Sequence, residues 1–253
     1  MQLHRFYLPP GKTGGDILRF DGREAHHALH VLRLKRGDEA LVLDGAGNEL
    51  SCEVENTSRD SLSLRIKKRN FIPPPPCSIT LYVGIPKGKI IESIIQKSVE
   101  LGARRIAPLL TERVVTRLDA KSAAQKQEQW QQVAIEAMKQ CGAARLPEVE
   151  TPAAIPHFLA RKEKPDLQLV GSLQKERRHP REVFREYEKK HGRLPSSTAI
   201  WIGPEGDFTA DELKAIQDAG AQPISLGNLV LRVETAAIYC LSMLSYELNW
   251  ADN

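Results

Sequence analysis

Glycines that follow short apolar runs are the residues of this sequence best placed to build a ligand site. Three loops carry them, at 170–172, 202–207 and 226–236. In open α/β sheets, ligands bind where strands end and loops begin. Because glycine has no side chain, backbone amides and carbonyls can approach a ligand closely at these points. None of the three loops contains a lysine, so the pattern favours an adenine edge and a ribose over a triphosphate.

Spacing excludes two familiar nucleotide motifs. The segment 84–90 resembles a phosphate-binding loop, but it is one residue short between its glycines and has Ile90 where Ser or Thr would bind magnesium. No GxGxxG follows the first strand of this half, which leaves an NAD-dependent enzyme as an alternative with little support. His26 and His30 share a helical face, but without a well-placed third ligand we predict no metal site.

The positions of these loops follow from a βα alternation in the second part of the chain. Strands are predicted at 79–84, 106–110, 167–170, 198–202 and 223–226, and helices at 90–101, 122–140, 180–190 and 210–219. Thr209 and Glu212 have the spacing of a capping box, which fixes the start of one helix directly after the loop at 202–207. The alternation predicts a mostly parallel sheet covered by helices.

The first part of the chain has a different pattern. Short β-rich stretches lie at 40–43, 50–54 and 61–66, and one helix is predicted near 24–33. The run 73–76 is four consecutive prolines, which suit neither a helix interior nor a central strand and predict a stiff linker. We therefore predict two domains, a small β-barrel at 1–72 and an α/β domain at 73–253.

The composition is that of an ordinary globular protein, with 41% hydrophobic and 27% charged residues. No apolar run is long enough for a membrane span and no signal peptide is evident, so we predict a cytoplasmic protein. The four cysteines form no CxxC pair, and buried thiols are expected. The net charge is +4, but segment 161–193 holds eleven Lys/Arg against six Asp/Glu, while 196–253 holds two against eight. A basic region of this kind suits phosphates.

Five strings of this sequence, in order and spacing, resemble the RsmE family of 16S ribosomal RNA methyltransferases. They are VLRLKRGD (31–38), KSVELGARRIAPL (97–109), EAMKQCGAARLPEV (136–149), GPEGD (203–207) and LGNLVLRVETA (226–236). The resemblance implies an α/β fold with a SPOUT-type parallel sheet and a C-terminal trefoil knot, preceded by a PUA-like β-barrel that helps hold RNA. It also implies a homodimer that uses S-adenosylmethionine to methylate N3 of a uridine, with 16S rRNA or the small ribosomal subunit as partner.

The same resemblance assigns the cofactor to the three glycine-marked loops. The implied cofactor-binding residues are Val170, Gly171, Ile202, Gly203, Pro204, Glu205, Gly206, Leu226, Gly227, Leu229 and Leu231. The sequence departs from the family pattern at Asp207, where a second glycine is usual, and at Val114, where serine often follows the arginine. Asp207 could restrict the loop or add charge beside the sulfonium, so cofactor affinity is the property that this departure affects.

Arg232 and Glu234 are the candidate catalytic residues. Methyl transfer to uridine N3 requires removal of an imide proton and stabilisation of the charge that spreads over O2 and O4. Arg232 could bind those oxygens or a phosphate, and Glu234 could accept the proton or orient the base. Alternatively, Glu234 caps a helix that starts at Thr235 and pairs with Arg232, and the rate comes from holding the methyl group in line with N3.

Eight basic and polar residues are candidate RNA contacts, with solvated surface side chains as the alternative, and Arg113, Gln140 and Arg145 among them match family positions. These residues are Arg5, Arg33, Lys87, Lys89, Arg113, Gln140, Arg145 and Arg232. The apolar segment 236–244 should be deeply buried, and in the resembled class it lies in the dimer interface. Two other functions stay open: methylation of a ribose 2′-OH or another base, and RNA binding without catalysis.

Overall fold

The computed structural model of the chain describes residues 3–113, 118–174 and 176–249. The chain divides into two compact units. The first unit comprises Met1–Pro74 and Ile135–Leu146, and the second comprises Pro75–Ala134 and Pro147–Asn253. The first unit therefore includes a segment far from the rest of it in sequence.

The first unit is built on a five-stranded sheet. Its strands are β1 (His4–Tyr7), β2 (Ile17–Asp21), β3 (Glu39–Leu43), β4 (Asn48–Thr57) and β5 (Ser61–Phe71). They pair in the order β1-β3-β4-β5-β2, with β1 parallel to β3 and the other pairs antiparallel. Alternate residues such as Val54, Leu62 and Leu64 are buried in one core with Phe6 and Phe20, as the two-residue period of a strand requires.

The helix predicted near 24–33 is shorter and less regular than expected. An α-helix, α1 (Gly22–His26), continues directly into a π-helical turn at His27–Val31. Ala25 and Ala28 are its buried residues. Arg33, just beyond the turn, has a φ of +56°, a left-handed conformation that non-glycine residues adopt infrequently.

The second unit contains a parallel sheet, which confirms the predicted α/β class. Its strands are β6 (Ser78–Gly84), β7 (Arg105–Leu110), β8 (Glu148–Val149), β9 (Ala153–Ala154), β10 (Leu167–Gly171), β11 (Ser197–Ile202) and β12 (Ala221–Ile224). The order is β12-β10-β11-β6-β7-β8, with β9 also paired to β7, and every pair is parallel. The order reverses between β6 and β11, where open α/β sheets form ligand crevices.

The last predicted strand is displaced. It was expected at 223–226, whereas β12 ends at Ile224, so that Ser225 and Leu226 already belong to the following loop. Pro223 lies within β12, which is tolerated because β12 is an edge strand of the sheet.

Six helices accompany this sheet in the described part of the chain. They are α2 (Ile90–Glu100), α3 (Ala120–Cys141), α4 (Ile155–Leu159), α5 (Pro180–His191), α6 (Ala210–Asp218) and α7 (Val233–Asn249). The predicted capping box of α6 is confirmed: Thr209 Oγ1 accepts from the Glu212 amide at 3.2 Å, and Glu212 Oε2 accepts from the Thr209 amide at 2.9 Å. The last residues of α3 belong to the first unit.

The expectation that segment 236–244 is deeply buried is confirmed for one face of the helix and wrong for the other. One face of α7, including Ala237, Leu241 and Leu244, is buried and packs against α2, β6 and β11. Tyr239 is 48% exposed, and Tyr246, one turn beyond the segment, is 68% exposed. The helix is thus apolar on a side that this chain alone does not cover.

Three of the four cysteines are buried as expected, but Cys141 is exposed at the end of α3. Burial raises the pKa of the Cys52 and Cys240 thiols to about 12, so both stay protonated at neutral pH. Of the helices that the structure describes, none combines the length and apolarity that crossing a membrane requires.

Candidate functional site

A cavity of about 260 Å³ lies at the carboxyl ends of β10 and β11 and beside the loop after β12. Nine of the predicted cofactor-binding residues line it: Gly171, Ile202, Gly203, Pro204, Glu205, Leu226, Gly227, Leu229 and Leu231. Its volume is just under the roughly 300–1,000 Å³ common for small-molecule sites. The structure therefore brings the three glycine-marked loops together around one space.

Two predicted cofactor-binding residues do not line this cavity. Val170 is fully buried in the core of the second unit, because neighbouring residues of a strand point to opposite faces. Gly206 lies on the far side of its loop, where its carbonyl accepts a hydrogen bond from Arg113 Nη1. A Cβ at Gly206 would lie 3.2 Å from Arg113 Cδ, so this glycine makes room for arginine.

Gly171 forms the cavity wall at the end of β10. A Cβ at this position would lie 3.2 Å from Ile202 Cδ1 and 3.3 Å from Leu226 Cδ1. All three residues line the cavity. Because Gly171 has no side chain, the side chains of Ile202 and Leu226 can both approach its backbone. A ligand in the cavity can also reach this backbone directly.

The loop after β11 depends on a second close approach. A Cβ at Gly84, the last residue of β6, would lie 2.5 Å from the Pro204 nitrogen and 2.7 Å from Pro204 Cδ. Backbone atoms cannot give way at such distances. Gly84 therefore allows the loop to cross the end of β6. The sequence does not indicate this role, because Pro204 is distant from Gly84 along the chain.

Asp207 shows why glycine suits its position. Its φ is +59°, and its amide donates to the Pro204 carbonyl at 2.8 Å to close a turn. Aspartate tolerates this left-handed conformation when its side chain bonds locally, and Asp207 Oδ1 accepts from the Phe208 amide at 2.8 Å. The departure from the family pattern is thus compatible with the loop. The other departure, Val114, lies outside the described residues.

Two glutamates tie this loop region to its neighbours. Glu205 Oε1 accepts from the Lys87 amide, in the loop after β6, at 2.9 Å. Glu212 Oε1 accepts from the Glu112 amide, in the loop after β7, at 2.9 Å. A hydrogen bond to a charged acceptor is stronger than one between neutral groups. These two bonds therefore hold the ends of β6, β7 and β11 together beside the cavity.

The loop after β12 leads into α7, which begins at Val233 and not at Thr235 as the capping alternative assumed. Arg232 is exposed and lines the cavity. Glu234 is half-buried in the first turn of the helix and does not line the cavity. Among the described residues, no carboxylate lies within 4.0 Å of the Arg232 guanidinium, so the alternative pairing of Arg232 with Glu234 is absent.

Several lining residues were not predicted as cofactor-binding. They are Ser172, Leu173, Arg177, Asp207, Val230, Val233 and Ala236. Helical spacing could have indicated Val233 and Ala236, which share one face of the first turn of α7. The sequence did not indicate a ligand-binding role for Arg177, because this residue lies in a charged run that resembles an ordinary solvated surface.

The candidate RNA contacts in the first unit have protein partners. Arg5 Nη1 donates to the carbonyls of Gln140 at 3.0 Å and Lys139 at 3.4 Å, and so binds carbonyls at the end of α3 that lack helical partners. Arg145 Nη2 donates to the Ile72 carbonyl at 2.9 Å, and the guanidinium lies over Phe71. These contacts position the chain whether or not RNA is bound.

The remaining candidates are more accessible. Lys87 and Lys89 are exposed in the loop after β6, Arg113 is exposed after β7, and Arg33 is exposed in the first unit. The rings of His26 and His30 lie 4.7 Å apart. Within residues 3–113, 118–174 and 176–249, no three His, Cys, Asp or Glu side chains are grouped to hold a metal ion.

Comparison with known proteins identifies the class. The family model described as "RNA methyltransferase domain" matches residues 73–245, and the one described as "RNA methyltransferase PUA domain" matches residues 20–67. The sheet and its cavity are therefore those of an RNA methyltransferase domain.

Comparison with individual relatives identifies the family within this class. Ribosomal RNA small subunit methyltransferase E of Bacillus subtilis is 33% identical over 229 residues, which are 89% of this chain and 88% of that protein. A methyltransferase structure from Legionella pneumophila in complex with S-adenosylmethionine has a TM-score of 0.85 and 32% identity, with 98% of each chain covered. The Neisseria gonorrhoeae ribosomal RNA small subunit methyltransferase E, also bound to S-adenosylmethionine, has a TM-score of 0.84 and 26% identity, with 99% of each chain covered. This chain belongs to the ribosomal RNA small subunit methyltransferase E family.

Replacement of Gly84 by alanine tests the close approach at the end of β6. Because the new Cβ would overlap Pro204 backbone, we expect Gly84→Ala to lower the free energy of unfolding by about 1–3 kcal/mol. Urea denaturation measures this. Gly14→Ala is the control, since a Cβ at Gly14 meets nothing within 4 Å, and it should not lower stability. A Gly84→Ala protein as stable as the unsubstituted chain would contradict this account of the loop.

Proposed function

We propose that this chain methylates N3 of a uridine in 16S ribosomal RNA, with S-adenosylmethionine as the methyl donor. As a member of its family, the chain is an S-adenosylmethionine-dependent ribosomal RNA methyltransferase. The proposal adds the base and the atom. The observation that carries the methyl donor is the cavity that three glycine-marked loops enclose at the ends of β10, β11 and β12, and the base and the atom are proposed from the family resemblance.

The cavity fits the cofactor chemically. Ile202, Leu226 and Leu231 offer apolar surface to an adenine ring, and Gly171 and Gly203 expose backbone groups that can bond its edge and the ribose. Glu205 and Asp207 supply negative charge that suits a sulfonium and an ammonium group. S-adenosylmethionine, when bound, supplies an electrophilic methyl group on that sulfonium.

Arg232 is the better supported of the two candidate catalytic residues. It lines the cavity, and within the described structure no carboxylate neutralises its guanidinium. It can therefore stabilise the charge that develops on uracil O2 and O4, or bind a phosphate beside the base. Glu234 lies two residues further and does not line the cavity, so acceptance of the N3 proton or orientation of the base by its carboxylate stays a prediction.

Basic residues in the loops after β6 and β7 are proposed to contact the RNA. Lys87, Lys89 and Arg113 follow β6 and β7, the strands whose loops are tied to the cavity loop by Glu205 and Glu212. Such residues contact phosphates and fix register without reading sequence. Arg33 is the exposed candidate of the first unit, whereas RNA contact by Arg5, Gln140 and Arg145 stays a prediction beside their structural contacts.

Four further features are proposed from the family resemblance. The division into a PUA-like domain at 1–72 and a methyltransferase domain at 73–253 is one, and closure of the first sheet into a barrel is another. The third is a trefoil knot in the chain around the cofactor loops, and the fourth is a cytoplasmic location. The strand order and the cavity are consistent with the knot but do not by themselves require it.

We also propose a homodimer that covers the exposed side of α7. A groove of about 420 Å³ is lined by Tyr239 and Met243 of α7 and by Gly227 and Asn228 of the cofactor loop. Beside it in sequence, Leu229 and Val230 are 78% and 77% exposed. Large exposed apolar residues that share a surface indicate a protein interface, and this one would place a partner next to the cavity.

The methylated atom is tested by mass mapping of 16S ribosomal RNA. Small subunits and deproteinised 16S RNA lacking the modification are each incubated with the protein and labelled S-adenosylmethionine. A methyl group on N3 of one uracil is the expected result. Transfer to a ribose 2′-OH or another base would contradict the proposed specificity, and cofactor binding without transfer to either substrate would indicate a non-catalytic RNA-binding factor.

Substitution of the candidate catalytic residues separates chemistry from binding. We expect Arg232→Ala to lower kcat on the order of 10²-fold because a preorganised cation is removed, with a smaller loss in Glu234→Gln. Single-turnover methylation measures both. Arg104→Ala is the control, since Arg104 is exposed directly before β7, at the amino ends of the parallel strands, whereas the cavity lies at their carboxyl ends. Full turnover in Arg232→Ala and Glu234→Gln would remove both residues from the mechanism.

The dimer is tested by light scattering at micromolar concentration. The unsubstituted chain should have the mass of a dimer, and Tyr239→Glu should shift it toward the monomer, because a charge in an apolar interface is costly to desolvate. Tyr239→Phe retains the apolar ring and should stay dimeric. A clean monomer for the unsubstituted chain would contradict the proposed interface.

A further inference from the structure

The cavity carries four charged side chains of balanced sign. Arg177 and Arg232 are cationic, and Glu205 and Asp207 are anionic. A site for a polyanion alone would have no use for two carboxylates, whereas a ligand that is itself zwitterionic needs both signs. The role of Arg177 in this set is the one that sequence reasoning left unassigned.

Arg177 is half-buried and lacks a carboxylate partner in the described structure. Its Nη1 donates to the Leu173 carbonyl at 3.2 Å, which tethers the guanidinium to the loop after β10. The adjacent Arg178 is different: it pairs with Glu186 at 2.6 Å, bonds Gln222 at 3.3 Å and does not line the cavity. Of these two consecutive arginines, Arg177 alone has no carboxylate partner among the described residues.

An uncompensated, partly buried guanidinium indicates an anionic group on the bound ligand. Two anions are candidates, the α-carboxylate of the cofactor and a phosphate of the RNA. Arg177 belongs to the same loop as Gly171 and is tied to Leu173, which also lines the cavity, so it is fixed to the wall that meets the cofactor. Arg232, by contrast, is exposed, as a residue that meets incoming RNA should be.

We infer that Arg177 binds the α-carboxylate of the methionine part of S-adenosylmethionine. This inference rests on the proposed function, because it assumes that the cavity holds this cofactor. Guanidinium and carboxylate match as two parallel hydrogen bonds, and the acidic side chains of Glu205 and Asp207 then suit the α-ammonium and the sulfonium. Arg177 is thus a cofactor-binding residue whose partner is one functional group.

The test deletes each partner of the proposed pair in turn. Calorimetry without RNA compares S-adenosylmethionine with decarboxylated S-adenosylmethionine, which keeps the adenosine, sulfonium and amine but lacks the carboxylate. The proteins are the unsubstituted chain, Arg177→Gln and the matched control Arg178→Gln. We expect Arg177→Gln to bind S-adenosylmethionine about tenfold or more weakly, the effect of losing a charge-assisted contact, while its affinity for the decarboxylated compound is unchanged.

The remaining outcomes separate the alternatives. Unaltered S-adenosylmethionine affinity in Arg177→Gln, with weaker RNA binding in a filter assay, would assign Arg177 to a phosphate and overturn the inference while leaving the proposed function intact. Equal losses for both compounds would show general damage to the cavity and also overturn it. If the unsubstituted chain bound neither compound, the proposed function and the inference would fail together. Arg178→Gln should bind both compounds normally.

Discussion

Backbone meets backbone where the loop after β11 crosses the end of β6, and the cavity depends on this approach. Gly84 leaves no room for a Cβ beside Pro204, so the loop can lie flat across the sheet edge. From there Gly203 to Asp207 can turn toward the ends of β10 and β12. A side chain at position 84 would push this loop away from the end of β6 and so disturb the cavity that the loop lines.

The approach is held in place by hydrogen bonds that cross between loops. Carboxylates of Glu205 and Glu212 accept backbone amides from the loops after β6 and β7. Asp207 satisfies its own turn in the left-handed region through the Phe208 amide. Glu205 and Asp207 therefore have two roles. Their side chains hold the loop in its conformation, and they also bring negative charge to the cavity that they line. Such preorganisation lowers the cost of ordering the site when a ligand binds.

Sequence patterns predicted those parts of the fold that local physics determines. Strand β6, helix α2 and the capping box of α6 follow from apolar spacing and from hydrogen bonds three residues apart, and they are where expected. Strands β1, β2, β8 and β9 were missed, and β8 and β9 have only two residues each, too few to show a period. Tyr239 was placed in the core because a helix that is apolar on all sides does not indicate which side packs against the sheet.

The site followed a similar rule. Glycines at strand ends indicated most of the cavity lining, since their spacing is a local signal. Gly84 and Arg177 were not indicated, because their roles depend on which loops meet across the sheet. Arg5 and Arg145 show that a basic residue can also bond backbone carbonyls of its own protein, and their contact with RNA stays a prediction.

Helix α3 belongs to both units, because its last turns, from Ile135 on, are part of the first unit. That unit is completed by residues 135–146, whose carbonyls bond Arg5 and the Gly47 amide. A protease that severed the proline run would therefore not release a self-sufficient N-terminal fragment.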